Sequence, residues 1–268
     1  MKITIVESGD PDLAHWVIGY IGATISEETG RQRRVIPARP NCFVQIILDG
    51  GHAMIDIESG ERLVVPRVGL FGPLTHHRYD MDMGGAMRTI CLRLQPAAAG
   101  QLFGIDPVAL VDSFVPIDFP PDLLAHLRAL PDFAAMAEPL DRWFKTLVGT
   151  ARESDGVAQA ARLLRQRRGT GSIQELAEMT GLSLRQFQRR FQQLTGLNPK
   201  HYARICRVAH AVHLKELVPN ASWTAIALDC GYSDQSHFIR DFKALTATLP
   251  RKFLNGQSPL ERFPRWEG

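Results

Sequence analysis

Two stretches of this sequence share one pattern, and that pattern determines the fold of the C-terminal half. Residues 181–194 read GLSLRQFQRRFQQL and residues 231–245 read GYSDQSHFIRDFKAL. Just upstream, residues 172–177 (SIQELA) align with residues 222–227 (SWTAIA) at an offset of 50. One residue is then inserted, and at an offset of 51 the match resumes at Phe187, Arg189, Phe191 and Leu194. The sequence therefore contains an internal repeat, which indicates two copies of one structural unit.

Each copy is typical of two short helices joined by a tight turn. Ser172 is a good N-cap, and Glu175 three residues later completes a capping-box pattern. Gly181 suits the left-handed conformation that ends a helix. Ser183 caps a second helix, as Asp234 does in the second copy. The apolar residues of this second helix recur every three or four positions and predict one buried face: Leu184, Phe187, Phe191 and Leu194.

The opposite face of each second helix is polar and suits DNA. In the first copy it carries Arg185, Gln188, Arg189 and Gln192, and in the second it carries Gln235, Ser236, His237 and Arg240. Arginine and glutamine can form bidentate hydrogen bonds with guanine and adenine in the major groove. His237 is either a phosphate contact or a plain surface residue. One copy alone would be equally consistent with a helical hairpin that has a solvated face, but two aligned copies favour a pair of DNA readers.

The segment between the copies predicts one long helix. Asn198 and Pro199 form a cap followed by Pro at the first helical position, which is a strong helix start. The amphipathic pattern runs to about Leu217, with the apolar set Tyr202, Ile205, Val208, Ala209, Val212 and Leu217. About 19 residues at ~1.5 Å each span ~28 Å. That length is close to the ~34 Å of one turn of B-DNA, so the two readers could enter successive major-groove segments.

Composition and charge place this pattern in a globular, two-part chain. The 268 residues are 45% hydrophobic and 22% charged, as in ordinary globular proteins. Residues 1–150 hold 13 Lys and Arg against 18 Asp and Glu, while residues 151–268 hold 18 against 10. The basic half is thus the half that carries the repeat. We find no apolar run long enough to span a membrane and no signal peptide, and we expect a cytoplasmic protein.

These motifs resemble the AraC/XylS family of bacterial transcription regulators over about residues 157–253. The resemblance is carried by Ile173-Gln-Glu-Leu-Ala177, Gly181-Leu-Ser183, Arg185-Gln-Phe-Gln-Arg-Arg-Phe191, Gly196-Leu-Asn-Pro199 and Gly231-Tyr-Ser-Asp-Gln-Ser-His-Phe238. It implies an all-α, seven-helix DNA-binding domain at 157–256, with readers at about 183–194 and 234–245. The base-reading positions implied by the family fall on Arg185, Gln188, Arg189, Gln235, Ser236 and Arg240. Ala247 stands where the family usually has Gly, so the final turn is expected to close differently.

The N-terminal half, residues 1–150, predicts strands followed by helices. Strand-like runs lie at 42–48, 53–57, 63–65, 69–71 and 87–94, and helical patterns lie at 122–130 and 140–148. The fold class expected for the whole chain is α+β: a small β-barrel or sandwich with trailing helices, then the helical domain. The layout is similar to the cupin-like sensor and dimerisation domain of AraC-type regulators. That resemblance implies double-stranded DNA, RNA polymerase, a small-molecule effector and a second copy of the chain as partners.

Other sites and classes find less support in the sequence. His52, His76 and His77 are candidate metal ligands, but adjacent strand residues point to opposite faces, so we expect no metal and no cofactor. The basic run Arg31–Arg34 is interpreted as a solvated stretch, with contact to an anionic ligand or phosphate as the alternative. The four cysteines are interpreted as buried small hydrophobes, with a redox-sensing thiol as the alternative. The interdomain boundary is expected at 149–156.

Two other function classes remain as alternatives. An alkyl-damage repair enzyme fused to a DNA-binding domain would need a reactive thiol in a Pro-Cys-His type of context, which neither Cys42 nor Cys91 provides. No catalytic constellation stands out either, so we expect no enzyme activity. The other alternative is a protein-interaction module whose basic helices meet an acidic partner.

Overall fold

The computed structural model describes residues 2–27, 32–149 and 156–253. A strand-rich region with three helices comes first, and a helical region follows. This arrangement confirms the α+β fold class expected from the sequence. Most of the predicted boundary, residues 150–155 of 149–156, lies outside the described residues.

Two antiparallel sheets form the N-terminal region. The six-stranded sheet has the order β1-β2-β9-β4-β7-β10 and the four-stranded sheet has the order β3-β8-β5-β6. The strands are β1 (Lys2–Val6), β2 (Val17–Ile25), β3 (Gln32–Val35), β4 (Phe43–Asp49), β5 (His52–Asp56), β6 (Arg62–Val64), β7 (Val68–Phe71), β8 (Tyr79–Met83), β9 (Met87–Leu94) and β10 (Phe114–Pro116). The five runs predicted from the sequence correspond to β4, β5, β6, β7 and β9. Although β4 and β5 follow one another around a turn, they belong to different sheets.

The two sheets face each other, and the side chains of β4 alternate between the helices on one side and the second sheet on the other. In β4, Val44, Ile46 and Leu48 are buried on the side that packs against helices. Phe43 and Ile47 of the same strand pack with Met54 of the other sheet. Side chains of successive strand residues point to opposite faces, so one face of each sheet lines an interior between the sheets.

One sequence interpretation of this region is wrong. Arg34 was expected in a solvated basic stretch, but it lies in β3 and is buried. β3 pairs with β8, and Arg34 lies opposite Met81. Arg33 next to it is exposed, as strand alternation requires, and pairs with Asp80. Arg31 lies outside the described residues.

Three helices cover the outer face of the six-stranded sheet: α1 (Ala98–Phe103), α2 (Pro121–Ala129) and α3 (Ala137–Val148). Leu127 of α2 and Leu140 and Phe144 of α3 are fully buried against the sheet. The Asp141 carboxylate of α3 accepts hydrogen bonds from Ser8 Oγ (2.8 Å), Gly9 N (3.0 Å) and the Tyr20 hydroxyl. The helices predicted at 122–130 and 140–148 are therefore present as α2 and α3.

Seven helices occur in the described residues 156–253, as the family resemblance implied. They are α4 (Gly156–Gln166), α5 (Ile173–Met179), α6 (Leu184–Thr195), α7 (Pro199–Leu217), α8 (Trp223–Asp229), α9 (Gln235–Thr246) and α10 (Pro250–Phe253). Their buried side chains form one hydrophobic core. No helix in the described part of the chain is long and apolar enough to cross a membrane.

The buried face of α7 differs from its prediction at one end. Tyr202, Ile205 and Val208 are buried as expected, but Leu217 is 52% exposed. Leu217 is the last residue of α7, and in this last turn Lys215 is buried instead.

Candidate nucleic-acid interface

The first reader helix, α6, is fixed at its start by its own residues. The Ser183 hydroxyl accepts a hydrogen bond from Gln186 N (3.4 Å), and the Gln186 side chain accepts one from Ser183 N (3.0 Å). This reciprocal pair is a capping box, which satisfies two backbone donors at the helix start. Ser172 caps α5 by accepting from Glu175 N (3.3 Å), as predicted. Both helices of the first unit therefore begin where the sequence placed them.

The core face of α6 carries the two aromatic residues predicted for it, but Leu184, predicted for the same face, is 36% exposed at the first position of the helix. Phe187 and Phe191 are fully buried, and their ring centroids lie 5.7 Å apart. Phe191 also meets the Tyr202 ring of α7 edge to face at 5.5 Å. Because this face is locked into the core, the other face of α6 is held toward solvent.

Three of the four predicted contact residues of α6 are exposed: Arg185, Arg189 and Gln192. Gln188 is half-buried. The helix contains no Asp or Glu, so its outward face is purely neutral and cationic. Such a surface suits a phosphate backbone and the acceptor groups of guanine.

The turns that lead into the two reader helices have the same geometry. Gly181 has φ +70° and Gly231 has φ +77°. In the first copy Leu182 N donates to Ala177 O (3.3 Å), and in the second Tyr232 N donates to Ala227 O (3.0 Å). Glycine is favoured in this left-handed conformation because it has no Cβ. The repeat seen in the sequence is therefore also a repeat in backbone structure.

The second reader helix, α9, is built in the same way. Asp234 caps it by accepting from Ser236 N (2.8 Å), and Phe238 and Phe242 are fully buried. All four predicted contact residues of this helix are exposed: Gln235, Ser236, His237 and Arg240.

His237 makes contacts within the protein as well. Its Nε2 atom lies 3.4 Å from Asp241 Oδ2, one helical turn away. Its ring also packs edge to face against Tyr232, with centroids 5.3 Å apart. The side chain remains 47% exposed, so these contacts orient it without covering it.

A buried ion pair fixes α9 against the long helix α7. Asp241 is 3% exposed, and its Oδ1 atom accepts hydrogen bonds from Arg204 Nη2 (2.7 Å) and Nε (3.0 Å). Its Oδ2 atom accepts one from the Tyr232 hydroxyl (3.2 Å). These bonds to Asp241 raise the pKa of Arg204, while burial and then Asp241 raise the pKa of Tyr232. Sequence reasoning gave Arg204 no role, because 37 residues separate it from Asp241 and no local pattern links the two.

The helix α7 has the predicted start and length. Asn198 Oδ1 accepts from Lys200 N (2.8 Å) and His201 N (3.3 Å), and Pro199 is the first helical residue. The helix has 19 residues, so it spans ~28 Å at ~1.5 Å each. Its residues contact both α6 and α9, which makes it the connection between the two reader helices.

The end of α9 explains how the chain accommodates Ala247. Ala247 has φ +58°, and its N–H donates to Lys243 O at 3.0 Å. The equivalent position after α6 is Gly196, with φ +78° and a bond from its N–H to Gln192 O (2.8 Å). The two helices therefore end with the same geometry, and the expectation that the final turn closes differently is wrong. Ala247 adopts a left-handed conformation that costs a non-glycine residue about 1 kcal/mol.

The candidate metal ligands and thiols of the N-terminal region have other surroundings. Within the described residues, no group of three or more His, Cys, Asp or Glu is placed to hold a metal ion. His77 Nε2 lies 2.7 Å from Asp80 Oδ1, and His76 Nδ1 lies 2.8 Å from Thr75 Oγ1. Burial raises the pKa of the Cys42 and Cys91 thiols to about 12.

The comparison with protein families identifies the C-terminal region. Residues 176–256 match the helix-turn-helix domain family. The C-terminal region is an AraC-type helix-turn-helix domain. The transcriptional activator RhaS of Escherichia coli (strain SE11) is 39% identical over 82 residues, and RhaS of Enterobacter sp. (strain 638) is 35% identical over 86 residues. These alignments cover 31–32% of this chain and 29–31% of those activators, so the chain spans less than a third of the length of the curated relatives that it matches.

The fold of the whole chain also has solved neighbours. ToxT from Vibrio cholerae superposes with a TM-score of 0.53 at 11% identity, covering 88% of this chain and 97% of ToxT. A second ToxT structure, with an unsaturated fatty acid bound, gives a TM-score of 0.51 at 10% identity and covers 89% and 97%. A strand-rich region followed by a helical region is thus an arrangement that ToxT shares.

Proposed function

We propose that this chain is a sequence-specific DNA-binding transcription regulator. In this proposal α6 and α9 enter successive major-groove segments on one side of a duplex. The observation that carries it is the repeated exposed face of the two reader helices, held outward by two buried pairs of phenylalanines. Recognition helices of helix-turn-helix proteins dock in this way, with the first residues of the helix closest to the bases.

The residues proposed to contact DNA differ in the part of the duplex that each can bind. Arg185, Arg189 and Arg240 have the side chains for bidentate bonds to guanine, and Gln188, Gln192 and Gln235 have those for adenine. Ser236 can bond to a base or a phosphate, and His237 is placed for a phosphate contact. The one acidic residue of α9, Asp241, is buried and paired with Arg204, so it adds no exposed negative charge to this face.

An effector-responsive regulator also needs a place for a ligand, and the interior between the two sheets supports one. Gln45, Thr89 and Arg93 are buried on the inward faces of β4 and β9, and His52 is buried on β5. Neither ring nitrogen of His52 has a hydrogen-bond partner. Ligand sites combine mainly apolar walls with a few polar groups of this kind. A ToxT structure with a bound unsaturated fatty acid shares the fold, which makes an apolar effector the first ligand class to test on this chain.

The remaining features of the proposal follow from the type of protein. We propose a cytoplasmic regulator without enzyme activity, which acts through RNA polymerase and forms a homodimer through its N-terminal region. Residues 1–150 would be the sensing and dimerisation domain, and residues 157–256 the DNA-binding domain. The activator relatives support this assignment for the matched segment.

Selection of bound sequences from a random duplex pool tests the proposal. The full chain is used at near-physiological salt, with and without a cell-extract fraction of small molecules as a source of effector. We expect an enriched motif with two blocks about one helical turn apart. Binding that stays equal for random and enriched duplexes and disappears as salt rises would instead indicate a basic surface that serves an acidic protein partner.

A further inference from the structure

Three loops of the N-terminal region form one hydrogen-bonded unit, which we call the docking platform: residues 36–41, 72–75 and 107–113. Arg39 N donates to Leu74 O (3.0 Å) and Leu74 N donates to Arg39 O (2.9 Å), which joins the first two loops. The Arg39 guanidinium is buried and lies over the Phe43 ring, 4.6 Å from its centroid. The first loop is thus anchored to both the second loop and the sheet.

Asp112 joins the third loop to the second. Its carboxylate accepts hydrogen bonds from Thr75 N (2.7 Å) and Thr75 Oγ1 (2.6 Å), and its own N–H donates to Pro73 O (2.9 Å). Its carbonyl accepts from the Tyr79 hydroxyl (2.6 Å). Asp112 holds φ +52°, a conformation that persists in a non-glycine residue only where its surroundings fix it. The platform is therefore a rigid unit.

The platform touches the end of the first reader helix. Gly196 ends α6, and a Cβ added to it would lie 2.4 Å from Pro107 O and 2.8 Å from Val111 Cγ2. Val111 also packs against the hydrophobic core of the C-terminal helices. The end of α6 and the third loop are thus in direct contact, with no room for even one methyl group between them.

The platform also touches the end of the second reader helix. Ala38 N donates to Leu245 O at 2.8 Å, in the last turn of α9. Ala38 is itself buried in the core of the C-terminal helices. One backbone hydrogen bond therefore holds the last turn of α9 against the first loop.

The connecting helix α7 meets the platform at its first turn. His201 Nε2 lies 3.0 Å from Thr75 O, so it donates to that carbonyl. The Tyr202 hydroxyl donates to Asn41 Oδ1 at 3.4 Å. All three helices that determine the geometry of DNA reading are thus held by one rigid unit of the N-terminal region.

We propose that the docking platform sets the relative orientation of the two reader helices and so determines the base-pair spacing that the protein accepts between its two blocks. The inference rests on the proposed function. A reader helix must lie within about an ångström of its productive position for bidentate base contacts to form. With the platform in place, α6 and α9 have one relative position and one spacing is preferred. Without it, only α7 and the shared helical core hold α9 against α6, and neighbouring spacings are bound less unequally.

The test compares two glycine substitutions in the full chain. Gly196→Ala places a methyl group against Pro107 O and Val111, while Gly181→Ala places one where no atom lies within 4 Å. Both glycines have a similar positive φ, of +78° and +70°, so both substitutions introduce the same kind of backbone strain. Gly181→Ala is therefore the matched control for strain without loss of docking.

The measurement is affinity for the selected two-block duplex and for duplexes with one or two base pairs added to or removed from the spacer. We expect the wild type and Gly181→Ala to prefer one spacer by about tenfold or more, on the order of the effect of one mismatched base pair. Gly196→Ala should reduce that preference to about threefold or less, while each block alone is still recognised. A wild-type spacer profile in Gly196→Ala would overturn the proposal.

If Gly196→Ala does not fold, a second variant that frees α7 from the platform without backbone strain decides the matter. The double variant His201→Ala/Asn41→Ala loses both side-chain bonds between α7 and the platform while the contacts of α6 and α9 remain, and we expect a partly flattened profile. An unchanged profile in this folded double variant also contradicts the proposal. If the wild type enriches no sequence at all, the proposed function fails. That result is distinct from a wild type that binds with no spacer preference, which would overturn only the role of the platform.

Discussion

Arg204 of α7 donates two hydrogen bonds to the same carboxylate oxygen of Asp241 in α9, at 2.7 and 3.0 Å. Asp241 is buried, while the Arg204 side chain is 37% exposed. The pair joins the connecting helix to the second reader helix. The Tyr232 hydroxyl donates a hydrogen bond to the other oxygen of the Asp241 carboxylate.

Arg204→Ala should therefore destabilise the C-terminal helices. It leaves a buried carboxylate with only the Tyr232 hydroxyl and the more distant His237 ring beside it. Hydrogen bonds to charged groups contribute about 1.5–3 kcal/mol each. We expect a loss of about 2 kcal/mol in the free energy of unfolding, measured by urea denaturation. Arg142→Ala is the control, because Arg142 forms an exposed i,i+4 pair with Glu138 and such pairs contribute about 0.3–0.5 kcal/mol. Equal losses in the two variants would contradict the role given to Asp241.

The two phenylalanine pairs should be essential for the fold. Phe191→Ala empties a fully buried position and should cost about 3–5 kcal/mol in the free energy of unfolding. Met179→Ala serves as the control, because Met179 is 66% exposed and its truncation should change stability by less than about 0.5 kcal/mol. A Phe191→Ala protein with the wild-type melting temperature would show that the core is assigned wrongly.

His52 should make stability depend on pH. Burial lowers its pKa from 6.5 to about 4, so the folded protein holds the ring neutral. The unfolded chain binds a proton below pH 6.5 and the folded chain does not, so stability is full above pH 6.5 and falls as the pH decreases to 4. The free energy of unfolding should fall by about 3 kcal/mol between pH 6.5 and pH 4.

His52→Met checks this prediction, because His52 lies opposite Met83 in the sheet and methionine does not titrate. The free energy of unfolding is measured for both proteins from pH 7.5 to 4, and other titrating groups cancel in the difference. The free energy of unfolding of His52→Met should rise relative to that of the wild type as the pH falls. Parallel curves would mean that His52 is accessible to protons in the folded state.

Much of the C-terminal region could be predicted from the sequence because its signals are local. Caps such as Ser183 and Asp234, the turn glycine Gly181 and the spacing of Phe187 and Phe191 each act over a few residues. All of them occur where the pattern placed them. The same periodicity accounts for the exposure of all the predicted contact residues except Gln188, which is half-buried.

The N-terminal region was harder because its contacts are distant along the chain. β4 and β5 are adjacent in sequence but do not pair with each other. β4 pairs with β7 and β9, and β5 pairs with β6 and β8. Arg34 was missed because a basic run gives no sign that one of its members points between two sheets. The bond from Ala38 to Leu245 spans two regions, and no local pattern marks it.

Loss of a single reader arginine should weaken DNA binding without unfolding the protein. Arg185→Ala and Arg240→Ala remove exposed side chains, so stability should change by less than about 0.5 kcal/mol. Affinity for the selected duplex should fall by about 1–3 kcal/mol in each variant, measured by fluorescence anisotropy at fixed salt. Arg142→Ala, on the distant helix α3, should bind like the wild type. If both reader variants also keep wild-type affinity, neither helix reads bases as assigned.

In the proposed function, α6 and α9 each read one block of a two-block site. It is tested most directly by repeating the random-duplex selection with Arg185→Ala and with Arg240→Ala, and comparing each enriched motif with that of the wild type. We predict that Arg185→Ala loses sequence preference within one block only, and that Arg240→Ala loses it within the other. Loss in the same block for both variants, or a uniform weakening with both blocks intact, would contradict the claim.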